Sequence, residues 1–468
     1  MAIDEFAIHS TVLDKLKKLG YEVSNSMASH IKQWYSWYTG ENDFYKVSYV
    51  SANRRKNQRK RYSLRPARKV CKEWASMLLN EDTEISVENK SANEWLQEYL
   101  DEAGFWFRGQ MTIEKAFAMG TGAWALWFNV KDDAVIDIKI RRYDARMIVP
   151  LSWDEDGVNE CAFVTRVSIK GKLYTQLQIH AFNSDTASYH INTYLFDKDG
   201  KEATSNDLGI LFDFDTKQEE KTFGIVKPGL DNVVADLSPY GISVFYDAID
   251  AIKATDLTWD SIFQEVDLTR VRVFLDEEMI DIKDENGQKI PIADIEDQVY
   301  RMVYKSGENG GKAIDVFSPN IRIEPLKDAL NIALSQLGDN CGFGDQYFQI
   351  DKTGGMKTAT EVVSDNSTLM RNVRKHENSV GDALKDIITG LLSCAKSLEV
   401  AAFDDFGVVN IKFDDSIIVD TQTEKQTMLN EIAAGVLPAW MFPVTFYGKT
   451  EEEAKEMISE NEVIDIGF

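Results

Sequence analysis

The sequence predicts an α+β fold, and three stretches carry that expectation. Val135 to Ile140, Cys161 to Ile169, Tyr174 to Ala181 and Tyr189 to Phe196 alternate in polarity or are rich in β-branched and aromatic residues, as half-buried strands should be. Between Gly241 and Leu337 a strong helical pattern runs out, a compact β-rich excursion follows, and a second helical pattern runs back. From Val362 to Leu398 apolar residues sustain a helical stripe, enough for a rod of about 60 Å if unbroken.

Bulk composition narrows the function classes. The 468 residues are 44% hydrophobic and 11% aromatic, so the chain can bury large cores. A net charge of −25 argues against a protein that wraps nucleic acid, since tight wrapping releases counterions through many Lys and Arg contacts. Cys71, Cys161, Cys341 and Cys394 lie far apart with no CxxC pair, which indicates neither a zinc ribbon nor a disulfide framework and fits synthesis in a reducing cytosol. There is no apolar leader pattern and no run near 18 apolar residues, so neither secretion nor a membrane span is expected.

In chain order, short helices are expected at 11–19 and 27–38, the second ending in the aromatic cluster Trp34, Tyr35, Trp37 and Tyr38. A basic run without a single acid follows: Arg54, Arg55, Lys56, Arg59, Lys60, Arg61, Arg65, Arg68, Lys69 and Lys72. It suits an electrostatic contact with nucleic acid or an acidic partner, and equally a solvated arm on an acidic protein. Pro66 begins a helix that places Val70, Trp74, Met77 and Leu78 on one face, and another helix runs from Ala92 to Ala103. Gly120 and Gly122 mark the change from helix to strand, and Asp156-Gly157 and Asp199-Gly200 are hairpin signals.

The outgoing helix carries Ile242, Phe245, Ile249, Ile252, Trp259, Phe263 and Val266 at three- and four-residue steps, over about 27 residues and roughly 40 Å. Its other face carries Asp247, Asp250, Asp256, Asp260 and Glu265 against a single Lys253, and is expected to be solvated and negative. Pro325 opens the returning helix with Leu326, Leu330, Leu334 and Leu337. Inside the excursion, Arg270 to Leu275 and Tyr300 to Tyr304 read as strands, with turns at Asn286-Gly287 and Asn309-Gly310-Gly311. Gly342, Gly344, Gly354 and Gly355, interleaved with Phe343, Tyr347 and Phe348, then suggest a flexible loop or a short strand with glycine hinges. Thr358 and Glu361 form a capping box, and Gly381 and Gly390 favour a kink or break in the long helix. Strands near Val408 to Phe413 and Ile417 to Val419 are expected to pair, before a helix from Glu424 to Gly435 and a last one capped by Thr450 with Glu453.

Catalytic chemistry finds little foothold. His9, His30, His180, His190 and His376 are scattered, and HExxH, GxSxG and Cys-His patterns are missing. Gly307 to Lys312 lacks the first glycine and the Ser or Thr of a phosphate loop, and the Asp197 to Lys201 turn fails the calcium-loop template. Asp404 with Asp405 and Asp414 with Asp415 could hold two metals for a nuclease, though solvated carboxylates at strand ends are the simpler account.

Several stretches resemble the portal (connector) proteins of tailed bacteriophages, in the branch typical of phages and prophages of Gram-positive hosts. The most specific is FQIDKTGGMKTATEVVSDNSTLMRNVRKHEN at 348–378, with its GxKTATEV core; WYSWYTG at 34–40, YSLRPARKVCKEWASMLLNED at 62–82, VPLSWDEDGVNECAFV at 149–164 and FDDSIIVD at 413–420 follow the same order. The resemblance implies a portal fold with an α/β wing, a two-helix stem, a small β-rich clip, a long kinked helix and a helical C-terminal crown. Its parts would be wing 1–240, stem helices 241–268 and 325–338, clip 269–324, tunnel loop 339–357, long wing helix 358–395 and crown 396–468.

The same resemblance implies a homo-oligomeric ring, usually of twelve, at one capsid vertex of the virion, assembled in the host bacterial cytoplasm. Double-stranded DNA would pass through it, and terminase large subunit, head-completion or adaptor proteins, and major capsid and scaffolding proteins would dock on it, with no cofactor, metal, catalytic residue or membrane involved. DNA would meet the tunnel loop at Gly342, Gly344, Tyr347, Asp351, Lys352, Gly354, Gly355 and Lys357. The stem face would be Asp247, Asp250, Lys253, Asp256 and Asp260. A partner-binding patch would be Arg54, Arg55, Arg59, Lys60, Arg61 and Arg65. Another capsid or adaptor subunit and, further off, the two-metal nuclease are the alternatives.

Overall fold

A computed structural model describes residues 10–23, 26–50, 56–131, 134–203, 212–275, 299–301, 314–350, 359–414, 421–447 and 449–462. Helices α1 (Ser10–Lys18) and α2 (Ala28–Thr39) lead into a two-stranded antiparallel ribbon, β1 (Lys46–Val50) with β2 (Lys56–Lys60). Then come α3 (Pro66–Leu78), β3 (Glu84–Val87), α4 (Lys90–Glu102) and α5 (Phe105–Met119). As expected, Pro66 stands in the first turn of α3, where its missing N–H leaves no hydrogen bond unmade.

The strands that follow form two antiparallel sheets. β4 (Gly122–Lys131) and β5 (Ala134–Asp144) make a hairpin, whose outer neighbour beyond β4 is the later strand β11 (Phe223–Val226). β6 (Ile148–Asp154), β7 (Gly157–Ile169), β8 (Lys172–Asn183), β9 (Ser188–Phe196) and β10 (Asp213–Asp215) form a five-stranded meander in sequence order. The Asp156-Gly157 turn joins β6 to β7 as expected. At Asp197 to Lys201 the Asp197 carboxylate accepts the N–H groups of Asp199 and Lys201, an Asx-type turn that uses the acid locally.

A 3₁₀ turn at Tyr246–Ala248 opens α6 (Ile249–Leu268), shorter than the expected 241–268 because residues 241–245 are buried but not helical. The excursion is a three-stranded sheet with β12 (Arg272–Leu275) at its centre, parallel to β13 (Val299–Arg301) and antiparallel to β14 (Ile314–Phe317); the turns expected at 286–287 and 309–311 lie outside the described residues. α7 (Ile323–Asn340) returns along α6, since Glu265 near the end of α6 meets Arg322 at the start of α7 while α7 also reaches the 3₁₀ turn.

α8 (Ala359–Ser397) is a continuous helix of 39 residues, so the expected break at Gly381 or Gly390 does not occur. These glycines serve packing instead. A Cβ at Gly390 would lie 2.1 Å from the Lys221 carbonyl oxygen, and one at Gly224 of β11 would lie 2.1 Å from that of Ala383, so helix and strand touch backbone to backbone. The buried face of α8, including Val373, Val380, Leu384, Ile387 and Leu391, joins α2, α3, α5 and the ends of α6 and α7 in one hydrophobic core. Each such side chain contributes about 1.5–3 kcal/mol on burial.

β15 (Val409–Lys412) runs antiparallel to β3, more than three hundred residues earlier, with Val87 and Val409 both buried in the main core. Residues 415–420, which include the second expected strand, lie outside the described residues. α9 (Thr421–Ala433), α10 (Met441–Tyr447) and α11 (Glu451–Glu462) close the chain. Thr450 and Glu453 form the capping box, each side chain accepting the other's backbone N–H at 3.3 Å.

Candidate functional site

The outgoing helix is where structure and sequence disagree most usefully. Asp247 and Asp250 are exposed, and Asp250 pairs with Lys253 at 2.9 Å. Asp256 and Asp260, expected on the same solvated acidic face, are 0% and 2% exposed. The reason is that Tyr45 just before β1, Arg59 on β2 and the segment between β2 and α3 meet this face of α6 and supply donors. Tyr45 Oη and Ser63 Oγ each donate to Asp256 Oδ2 at 2.7 Å, and the Leu64 N–H donates to its Oδ1 at 2.8 Å. One turn on, Arg59 reaches both oxygens of Asp260 at 2.7 and 2.8 Å, and the Tyr62 N–H adds a third bond of 3.1 Å.

Their titration differs because their partners differ. Burial pushes Asp256 up, and three neutral donors do not fully offset it, so its carboxyl sits above the usual range. Burial pushes on Asp260 too, but the Arg59 guanidinium and the Tyr62 N–H outweigh it and hold that carboxyl below the usual range. At the far end, Arg322 holds Glu265 low through bonds of 2.9 and 2.8 Å, clamping α6 to α7 where the small sheet begins.

This geometry revises the basic patch. Strand alternation turns Arg59 toward α6, Arg61 donates to the Phe44 carbonyl at 2.8 Å, and Arg65 donates to the Thr39 carbonyl at 2.9 Å in space that any Cβ at Gly40 would occupy. These three arginines are engaged by the chain itself, while Lys60 is exposed and Arg54 and Arg55 lie outside the described residues.

The glycine-rich segment is revised as well. Residues 341–350 fold back on α7 and α3: Phe343 packs on Trp74 with ring centroids 4.3 Å apart, Trp74 Nε1 donates to the Cys341 carbonyl at 3.2 Å, and Tyr347 Oη donates to Glu73 at 2.9 Å. Gly342 and Gly344 adopt φ of +84° and +86°, and the Gly342 carbonyl accepts Asn372 Nδ2 of α8 at 2.9 Å. They shape a packed turn, where a loose loop was expected. Asp351, Lys352, Gly354, Gly355 and Lys357 lie outside the described residues.

A family model described as "Phage portal protein, SPP1 Gp6-like" matches residues 21–462. The chain belongs to this phage portal protein family. The portal chain has no match among curated proteins. Among solved structures it is similar to a chain from "Neck of native GTA particle computed with C12 symmetry", at 12% identity and a TM-score of 0.42, over 81% of this chain and 88% of that one.

Two further polar groups of the portal chain have partners within it. His376 is buried between Trp74 and Phe117, its Nδ1 accepts the Gly229 N–H at 2.9 Å, and burial lowers its pKa to about 3, so it is neutral. Asp414 accepts Asn80 Nδ2 at 3.1 Å, and no group of three His, Cys, Asp or Glu residues among those described could hold a metal ion. Among the described residues no helix is long and apolar enough to cross a membrane. Sequence reading missed Tyr45, Ser63 and Arg322, since nothing in the local pattern pairs them with acids about two hundred or, for Arg322, 57 residues away.

Proposed function

We propose that this chain is the portal subunit of a tailed-phage particle, a structural protein that assembles head to tail into a closed ring of about twelve copies at one capsid vertex. Family membership across residues 21–462 gives the role, and the observation that carries the ring is the stem. Leu257, Phe263, Val266 and Leu268 of α6 and Ile332 of α7 are exposed in the single chain, although both helices are well formed. Apolar side chains spread along a thin helix pair call for cover by neighbouring copies.

In this reading α6 and α7 are the stem, the β12–β14 sheet is the clip, residues 1–240 with α8 are the wing, and α9 to α11 are the crown. Duplex DNA passes through the bore during packaging and ejection. The exposed Asp247 and Asp250 favour sliding over holding, since phosphates are repelled by carboxylates and bound by cations. Residues 351–357 touch the moving DNA, and the clip receives the terminase large subunit and later the head-completion proteins. Capsid and scaffolding proteins surround the wing during assembly in the bacterial cytoplasm.

Negative-stain imaging of the purified protein tests this directly. Rings with a central channel are the expected result. A monodisperse monomer at micromolar concentration, with salt and DNA varied, rejects the reading.

A further inference from the structure

The β1–β2 ribbon is poorly supported by its own chain. A two-stranded ribbon in water is marginal without a packing surface, and this one is attached through Arg59 on its inner face. Its outer face carries Lys46, Lys56 and Lys60, with Lys46 directly opposite Lys60 and Val50 opposite Lys56. Like charges opposite one another destabilise a ribbon, and among the described residues the ion pair on this face is that of Lys46 with the exposed Asp43. Val50, 64% exposed, sits among these cations, so the face is both basic and apolar.

The same chain carries a surface of opposite character. A groove of about 840 Å³ opens between the β6–β7 turn and residues 227–241. Its rim combines exposed Trp153, Leu230 and Leu237 with exposed Glu155 and Asp231, above the half-buried Lys227. Leu237 is 90% exposed and held at φ +58°, with Trp153 Nε1 donating to its carbonyl at 3.2 Å. A branched residue kept in the left-handed region with its side chain in solvent is a strained presentation of an apolar group.

We propose that the outer face of the β1–β2 ribbon of one copy docks in this groove of a second copy, Lys56 and Lys60 meeting Glu155 and Asp231 while Val50 meets Trp153 and Leu237. A head-to-tail contact needs two different complementary surfaces on one chain, and these two match in charge and in apolar content. Duplex DNA would satisfy the lysines alone and leave Val50 and the groove without a role. The contact rests on the ring reading above and names the partner of the basic run as the protein itself.

Charge exchange tests it, with assembly followed by analytical ultracentrifugation and folding by circular dichroism. The pair Lys56→Glu with Lys60→Glu, and the pair Glu155→Lys with Asp231→Lys, are each expected to raise the half-assembly concentration about tenfold, or ~1.4 kcal/mol. All four together should return it to within about threefold of wild type, because the charges are then exchanged across the contact. Leu237→Gly separates docking from folding: the monomer should resist denaturant at least as well as wild type, its φ no longer being strained, while assembly weakens. Rings indifferent to either charge pair, or a fourfold variant no better than the worse pair, overturn the contact and leave the ring reading standing. Lysine variants that assemble normally but retain less DNA would assign the ribbon to DNA and overturn it too. A wild type that stays monomeric overturns both.

Discussion

Arg59 and Asp260 meet through two parallel hydrogen bonds of 2.7 and 2.8 Å, and this pair fastens the β1–β2 ribbon to helix α6. Asp260 is buried while the Arg59 side chain is 28% exposed, so removing the cation strands a carboxylate that water reaches poorly. Arg59→Ala should cost about 2–3 kcal/mol, less than a fully buried pair because Arg61 stands 3.8 Å away and the Tyr62 N–H remains. Denaturant unfolding measures it, and Arg59→Ala with Asp260→Asn should cost less than the two changes summed. Strict additivity would mean that the pair is not coupled.

Asp256 and Asp260 should answer pH with opposite sign. Asp260 is held below its ordinary pKa, so its contribution is complete above the unfolded value near 4 and fades as pH falls through the lower folded value. Asp256 is held above its ordinary pKa, so its contribution is complete below that unfolded value and is lost as pH rises through the folded one. Asp256→Asn should therefore be within about 1 kcal/mol of wild type at pH 7, or stabilising, whereas Asp260→Asn destabilises. Unfolding free energies of both variants from pH 3 to 7 check the crossing.

Gly390→Ala reverses a familiar rule. Alanine inside a helix normally gains about 1 kcal/mol over glycine. Here its methyl would meet the Lys221 carbonyl, so a loss of about 2 kcal/mol is expected from overpacking. Gly381→Ala is the internal comparison, since its nearest neighbour is Phe413 at 3.4 Å, and it should be close to neutral. Equal effects at both sites in thermal unfolding would remove the close-contact explanation.

Val266→Asp, on the exposed part of α6, should leave circular dichroism unchanged and weaken ring formation at least about tenfold, because it places a charge where a neighbouring stem would lie. Sedimentation at several concentrations reads the change. Undiminished rings would exclude this face of α6 from the subunit contact.

Gly354→Val with Gly355→Val should give rings that assemble normally and stall in packaging, since valine restricts the backbone at the part of the loop assigned to DNA. In vitro packaging and ring assembly are scored separately. Wild-type packaging rejects the tunnel-loop assignment, and failure to assemble means that these glycines serve the fold.

What could be read from the sequence was local. Hairpins β6–β7 and β8–β9, the start of α3 at Pro66, the stop of α9 near Gly435 and the Thr450 cap are each encoded within a few neighbouring residues. The sidedness of α6 was not, because its polarity pattern states only that two faces differ. Which one is buried depends on Tyr45, Ser63 and Arg59 arriving from about two hundred residues upstream, and acids with dedicated donors pack as core. Leu257 and Val266 are the counterpart, apolar yet exposed among the described residues, and on the ring proposal a neighbouring copy would cover them. β15 was legible as a strand, but nothing near it specifies β3.

The β3–β15 pair also sets a timetable. Asn80, beside β3, bonds Asp414 just after β15 across 334 residues, so during synthesis the open edge of β3 waits for its mate. At about 5–20 residues per second that delay is roughly 15–70 s. Through it the N-terminal helices can collapse around Trp74, while Ile85 and Val87 and the core beneath them stay uncovered. A chain cut off by premature termination anywhere before residue 409 therefore lacks the β15 mate of β3 and presents that strand edge for non-native pairing.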